Sequence, residues 1–155
     1  MIVYRLLICI NLGALCLLLG GMAEVALVEI PLFRRLSHER FVEVHGILDR
    51  HMDRYMPAVT GLAVLTGLGE LFLGQYGWQT VSIAIGTLCL VAVALISHLV
   101  NVPLNRRIRS WQESTSTSLL TLKNTWIRSH YVRTCVGLMS FLLLIIPVIL
   151  QITHA

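Results

Sequence analysis

Four long apolar segments divide the chain, and each is flanked by charged or turn-forming residues. They run over about residues 6–28, 55–74, 80–102 and 132–150. A helix needs about 20 apolar residues to cross the hydrocarbon layer of a bilayer, because each residue advances it by only about 1.5 Å. The pattern therefore predicts an all-α integral membrane protein, in which residues 1–155 form a single domain and the four spans pack as a four-helix bundle.

The segment between the first and second spans has a different pattern. Over residues 37–56, charged residues recur at helical spacing, and Ser37 suits the N-cap position. One face of this helix is an apolar stripe with Asp49 at its edge, formed by Phe41, His45, Leu48, Met52 and Met56. We therefore expect a short amphipathic helix between spans 1 and 2, with a kink at Pro57 where it enters the bilayer. We expect no internal repeat.

Composition supports a membrane protein. The chain is 56% hydrophobic and 13% charged, and its mean hydropathy of +0.78 excludes an ordinary soluble domain. The net charge of +4 would suit nucleic acid, but the basic residues flank the spans and are not interleaved with aromatic side chains. The expected partner is thus the lipid bilayer and not a nucleic acid. The four cysteines lie in apolar runs without CxxC spacing, so neither disulfides nor a zinc site is expected.

The basic residues also predict an orientation. Eleven of the twelve lie in or at the edge of the first and third connections, and only Arg5 lies elsewhere. Basic connections stay on the cytoplasmic side of a membrane. We therefore expect both connections in the cytoplasm and both termini outside it, in a cell membrane or inner membrane.

Polar residues cluster at the predicted cytoplasmic ends of all four spans. Polar groups are costly in hydrocarbon, so we expect these side chains to face the bundle interior and to converge there. The set consists of Glu24 in the first span, His45 and Asp49 before the second, His98, Asn101 and Asn105 at the end of the third, and His130 and Arg133 at the start of the fourth.

Imidazole beside a carboxylate suits iron or copper, so His45, His98, His130 and Glu24 are predicted metal ligands. Haem b is the second possibility, with His98 and His130 as axial ligands and Arg133 on a propionate. The alternative is a polar network that only fixes the register of the helices, with Arg133 neutralising Glu24.

Two short motifs point to a family. The sequence NVPLN at residues 101–105 is followed by Trp111, and WIRSHYVR occupies residues 126–133. Together with a first span that ends at Pro31, they resemble the anthrone oxygenase-like family of small four-helix membrane proteins, over nearly the whole chain. Members associated with aromatic polyketide pathways oxidise an anthrone to an anthraquinone with dioxygen. The resemblance implies oxygen chemistry and the site or scaffold residues Asn101, Asn105, Trp126, His130 and Arg133, but it does not extend to Glu24, His45 or His98.

The leading hypothesis is a membrane-embedded oxidase or oxygenase acting on a small apolar, aromatic substrate that enters from the bilayer or the cytoplasm. Asn101 and Asn105 would orient the substrate or a histidine, Arg133 would hold an oxyanion, and Asp49 would be a ligand or proton acceptor. In a cofactor-free version, a histidine deprotonates an activated carbon and the resulting anion reacts with oxygen directly.

Two other classes of function fit the same residues. One is a small b-type cytochrome that transfers electrons through a haem held by two of the histidines. The other is a non-catalytic scaffold or small transporter, in which the polar cluster is structural. The sequence leaves a homo-oligomer open in every case.

Overall fold

The computed structural model describes residues 2–74, 77–112 and 118–153, and it is helical throughout with no strand in these ranges. Four helical stretches are long and apolar enough to cross a membrane: Ile2–Arg35, His38–Leu73, Trp78–Arg109 and Leu119–Leu150. This confirms the predicted all-α bundle of four spans. Most of the serine- and threonine-rich loop between the last two spans, residues 113–117, lies outside the described residues.

The first and third spans are each built from three consecutive pieces. In the first, α1 (Ile2–Glu24) leads through a π-helical turn, π1 (Val25–Glu29), into α2 (Ile30–Arg35). In the third, α4 (Trp78–Ile96) leads through π2 (Ser97–Asn101) into α5 (Val102–Arg109). The second and fourth spans are the single helices α3 (His38–Leu73) and α6 (Leu119–Thr153).

A proline explains the position of each π turn. Pro31 and Pro103 lie just after the two turns and lack the N–H group that an α-helix would use. The chain instead forms wider bonds, from the N–H of Ile30 to the carbonyl of Val25 and from Val102 to Ser97. Pro31 therefore does not end the first span as expected, because the helix widens around it and continues to Arg35.

The amphipathic segment is helical as predicted, but it is continuous with the second span. Ser37 takes the N-cap position of α3, which then runs through Pro57 to Leu73. A membrane helix tolerates an internal proline where its neighbours accommodate the freed carbonyl. The fourth span is likewise longer than its apolar segment, since α6 begins at Leu119. Trp126 and His130 therefore lie within a spanning helix.

The sequence contains an internal repeat, contrary to expectation. Residues 28–35 (VEIPLFRR) and 100–107 (VNVPLNRR) are identical at five of eight positions, and both segments contain the end of a π turn followed by a short α-helix. The following arms also correspond, since Phe41 precedes His45 by four residues just as Trp126 precedes His130. The bundle therefore consists of two related hairpins, repeat 1 (α1, π1, α2 and α3) and repeat 2 (α4, π2, α5 and α6).

Within each repeat the two arms pack against each other, and α3 then packs on α4. The two pairs of arginines, Arg34 with Arg35 and Arg106 with Arg107, lie at one end of the bundle, which we call the basic end. One apolar core cluster, including Leu15, Leu18 and Leu90, fills the middle of the bundle, and a second, including Phe33 and Ile108, lies at the basic end. Many large apolar side chains cover the outside, as expected for a surface that faces lipid.

Candidate active site

A cavity of about 550 Å³ lies between the two core clusters and is lined by all four spans. Its volume is in the range of pockets that hold a small organic molecule. Much of its wall is apolar and includes Leu18, Val64 and Val91. Seven of the eight predicted site residues also line it, namely His45, Asp49, His98, Asn101, Asn105, His130 and Arg133.

The eighth predicted residue, Glu24, is exposed and does not line the cavity, which corrects the expectation that it belongs to the site. Glu29 lies there instead and is buried. The helix face decides this. Met22, Val25 and Glu29 recur at helical spacing on the buried side of the first span, whereas Glu24 falls between them on the outer side. A comparison of the two similar segments could have identified Glu29 as a site residue, since Glu29 in VEIPLF corresponds to Asn101 in VNVPLN.

His130 is fixed by two hydrogen bonds. Its Nδ1 lies 2.9 Å from a guanidinium nitrogen of Arg133, and its Nε2 lies 3.0 Å from the carbonyl oxygen of Met22. A guanidinium can only donate and a carbonyl can only accept, so Nδ1 is the acceptor and Nε2 bears the hydrogen. Both ring nitrogens of this neutral imidazole are therefore engaged, which leaves neither of them available as a metal or haem ligand.

Arg133 is held from two sides. One terminal nitrogen donates to His130, and the other donates to the hydroxyl of Ser97 in π2 at 3.1 Å. The Nε of Arg133 is buried and has no hydrogen-bond partner among the described residues. Within the described residues, no hydrogen bond or ion pair joins Arg133 to Glu24, so the expected neutralisation is not part of this arrangement. Each terminal nitrogen has a second N–H, so the cation that lines the cavity keeps donors for a bound molecule.

Asp49 belongs to a network that joins three helices. The side-chain amide of Asn105 donates to one carboxylate oxygen of Asp49, and Arg109 donates to the other at 2.6 Å. The indole N–H of Trp126 donates in turn to the Asn105 carbonyl oxygen at 2.8 Å. Charge-assisted bonds of this kind fix geometry. Asp49 and Asn105 therefore hold α3, α5 and α6 together at the basic end of the cavity.

The two remaining predicted histidines have different surroundings. His45 is buried among three aromatic rings, with its centroid 5.8 Å from Phe33, 5.4 Å from Phe41 and 5.0 Å from Trp126. His98 lies in π2, is exposed on the outside of the bundle and also lines the cavity. No hydrogen bond joins the ring of His98 to another residue in the described part of the chain.

The predicted metal ligands do not converge. In residues 2–74, 77–112 and 118–153, no three histidine, cysteine, aspartate or glutamate side chains form a group that could hold a metal ion. His45 lies among aromatic rings, His130 has both nitrogens engaged, and Glu24 lies outside the cavity. The residues present therefore do not fit the predicted metal centre or a haem held by His98 and His130.

Asn101 is a further polar residue of the cavity wall. It is buried and lines the cavity, and its side-chain oxygen accepts a hydrogen bond from Ser129 at 2.6 Å. Because its oxygen is engaged, the amide nitrogen of Asn101 remains as a donor for a bound molecule.

Fold and cavity together describe a four-span membrane protein with a cavity of ligand size inside its bundle. A family model described as Anthrone oxygenase matches residues 46–143, more than half of the chain, and the protein belongs to this family. The match confirms the resemblance seen in the sequence, and it includes all the cavity-lining site residues except His45. No curated protein and no solved structure matches the chain.

Proposed function

We propose that the protein is a membrane-embedded oxygenase that oxidises a small apolar, aromatic substrate with dioxygen in the cavity. One observation carries this proposal: in a member of the anthrone oxygenase family, an apolar cavity of ligand size ends in a cluster of polar side chains from all four spans. Such a cavity accepts a flat hydrophobic molecule and orients it by a few polar contacts.

The family name suggests the substrate class. An anthrone has three fused rings, with a carbonyl group opposite a methylene group in the central ring. The apolar wall, including Leu18, Val64 and Val91, suits the rings. Arg133 and Asn101 supply donors for the carbonyl oxygen. This oxygen is where negative charge develops when the methylene group loses a proton, so the donors would stabilise the anion more strongly than the neutral substrate.

His98 is the proposed proton acceptor, because it lines the cavity and its ring has no hydrogen bond to a described neighbour. It removes one methylene proton, and the electron pair is delocalised onto the carbonyl oxygen held by Arg133. Dioxygen then adds to the deprotonated carbon, and the peroxide takes up the proton. Loss of the second C–H hydrogen with the outer oxygen releases water and leaves a carbonyl group. One methylene and one dioxygen thus give one carbonyl and one water.

His130 is a positioning residue in this scheme. It accepts a hydrogen bond from Arg133 while it donates to Met22 of the first span. The guanidinium is therefore aimed before the substrate binds, which is the arrangement in which such a group stabilises developing charge best.

The test is oxygen consumption by the purified protein in lipid nanodiscs with anthrone as substrate, with the quinone measured by absorbance. We expect one dioxygen consumed per quinone, and no loss of activity after dialysis against a chelator. His98→Ala should lower kcat by roughly 100-fold, the usual contribution of a general base. His51→Ala is the matched control, because His51 is exposed on α3, bonds to the carbonyl of Ile47 and does not line the cavity.

Two results would contradict the proposal. Folded wild-type protein that consumes no oxygen with any anthrone would favour the scaffold or transporter hypothesis. A chelator that abolishes activity would instead make the metal-dependent route the correct one. If His51→Ala lost as much activity as His98→Ala, the loss would be a general effect of removing a histidine and not evidence for a base at His98.

A further inference from the structure

The exposed part of the cavity wall lies between two particular helices. Leu18, Met22, Val25 and Glu29, which the first span contributes to the wall, are all buried. The cavity-lining residues that are also exposed on the outside of the bundle come only from the second and third spans: Pro57, Gly61, Leu65, Leu95 and His98. The cavity therefore opens sideways between α3 and the third span, through an opening that we call the window.

The window is closed at both of its ends. Away from the basic end, α3 and α4 touch, since a Cβ atom on Gly67 would lie 2.6 Å from the hydroxyl oxygen of Thr87. At the basic end, Asp49 on α3 is bonded to Asn105 and Arg109 on α5. Between these two contacts lies Gly61, which lines the cavity, is exposed, and would have no atom within 4 Å of an added Cβ atom.

The position and chemistry of the window suit an apolar molecule. Its rim belongs to the stretches His38–Leu73 and Trp78–Arg109, which are long and apolar enough to cross a membrane, and we expect lipid to face it from outside. Leu65 and Leu95 on the rim are 68% and 52% exposed. Toward the basic end, the wall is closed by buried side chains, including His45, Asp49 and Trp126. Four of the five exposed residues of the rim are apolar and the fifth is His98, so an apolar molecule dissolved in the bilayer meets little polar surface, whereas a route from the basic end would have to break the Asp49 network.

We propose that the cavity takes its ligand directly from the hydrocarbon of the bilayer, through the window between α3 and α4. The ligand class is a flat aromatic molecule that partitions into lipid and carries a hydrogen-bond acceptor. His98 stands on the rim and Arg133 stands in the cavity, so the molecule passes the proposed base as it enters. The identity of the ligand rests on the proposed function, but the route does not.

Heavy-atom quenching of Trp126 tests the route without any turnover. The background is Trp78→Phe with Trp111→Phe, which leaves Trp126, a buried residue of the cavity wall, as the fluorophore. The probe is 1,4-dibromobenzene delivered in lipid vesicles to protein in nanodiscs, with the rate of quenching followed by stopped flow. Gly61→Phe places a ring in the window and should slow quenching roughly tenfold.

Gly13→Phe is the matched control, because Gly13 is also exposed, has no atom within 4 Å of its Cβ position and does not line the cavity. It should leave the quenching rate unchanged. Leu95→Ala, which removes bulk from the rim, should raise the rate. Equal rates for Gly61→Phe and Gly13→Phe would overturn the proposal, and so would faster quenching by water-soluble acrylamide than by the lipid-borne probe.

The outcomes separate the route from the chemistry. If Gly61→Phe slows quenching but the wild-type protein consumes no oxygen, the window stands and the oxygenase proposal fails. If the wild-type protein oxidises anthrone and Gly61→Phe changes neither the activity nor the quenching, the oxygenase stands and the window fails.

Discussion

The two repeats share a scaffold but hold different chemistry at corresponding positions. Both have a π turn, a proline and a pair of arginines, yet Glu29 and Phe33 in repeat 1 become Asn101 and Asn105 in repeat 2. All four of these residues are buried. The residues common to both repeats are the proline that follows the π turn and the two arginines at the end of the short helix. The residues that differ point inward, so the helix geometry is common to both repeats while the interior is specialised.

The two histidines show the same contrast. His45 in repeat 1 packs against aromatic rings, and the residue three positions later is Leu48. His130 in repeat 2 stacks on Trp126, and the residue three positions later is Arg133, which bonds to it. At this position the leucine of repeat 1 corresponds to an arginine in repeat 2. The cationic group of the cavity comes from repeat 2 alone.

The largest expected effect is on stability, and it comes from replacing Asn105, in the Asp49 network, with the residue found at the corresponding position of repeat 1. Asn105→Phe copies Phe33, removes the partner of the Trp126 indole N–H and takes one donor from Asp49. Unpartnered buried polar groups cost about 1–3 kcal/mol each, so the free energy of unfolding in mixed micelles should fall by about 3 kcal/mol. The exposed Asn124→Phe is the control. A loss no larger than that of the control would show that the network contributes little.

The next effect is on catalysis. Arg133→Leu copies Leu48 and removes the proposed donor to the substrate oxyanion. Loss of one such donor typically costs about 2.7–4 kcal/mol in the transition state, so kcat should fall by at least roughly 100-fold in the oxygen assay. Arg128→Leu, an exposed arginine on the same helix that does not line the cavity, should retain activity. Full activity in Arg133→Leu would remove the guanidinium from the mechanism.

The smallest expected effect concerns the acid that distinguishes repeat 1. Glu29→Asn copies Asn101 and removes a buried carboxyl group, so the free energy of unfolding should rise by about 1 kcal/mol, because burying a carboxyl is costlier than burying an amide. We expect kcat to fall by only about threefold, since His98 and not Glu29 is the proposed base. A fall in kcat of roughly 100-fold would instead identify Glu29, and not His98, as the base.

Hydropathy and the cost of burying polar groups were sufficient to predict the four spans and the end of the bundle where the cavity lies. Glu24 was assigned to the site from its depth in the first span and not from its helix face, and it lies two residues after the buried Met22, on the outer side of α1. The two hydrogen bonds of His130 could not be predicted from the sequence either, since one of them is to the carbonyl oxygen of Met22 on another helix. The helix α3 was predicted as two segments, and the start of α6 was predicted too late, because a helix that leaves the hydrocarbon has no apolar signal there.

Because α3 is long, the surroundings of the window depend on the thickness of the bilayer. At about 1.5 Å per residue, its 36 residues extend about 54 Å, whereas the hydrocarbon layer is about 30 Å thick. A bundle longer than the hydrocarbon layer adjusts by tilting or by changing the local thickness of the bilayer. Acyl chain length therefore determines how much of the rim, from Leu65 to His98, meets hydrocarbon and how much meets headgroups. We therefore expect the rate at which a lipid-borne ligand enters the cavity to change with the acyl chain length of the host membrane.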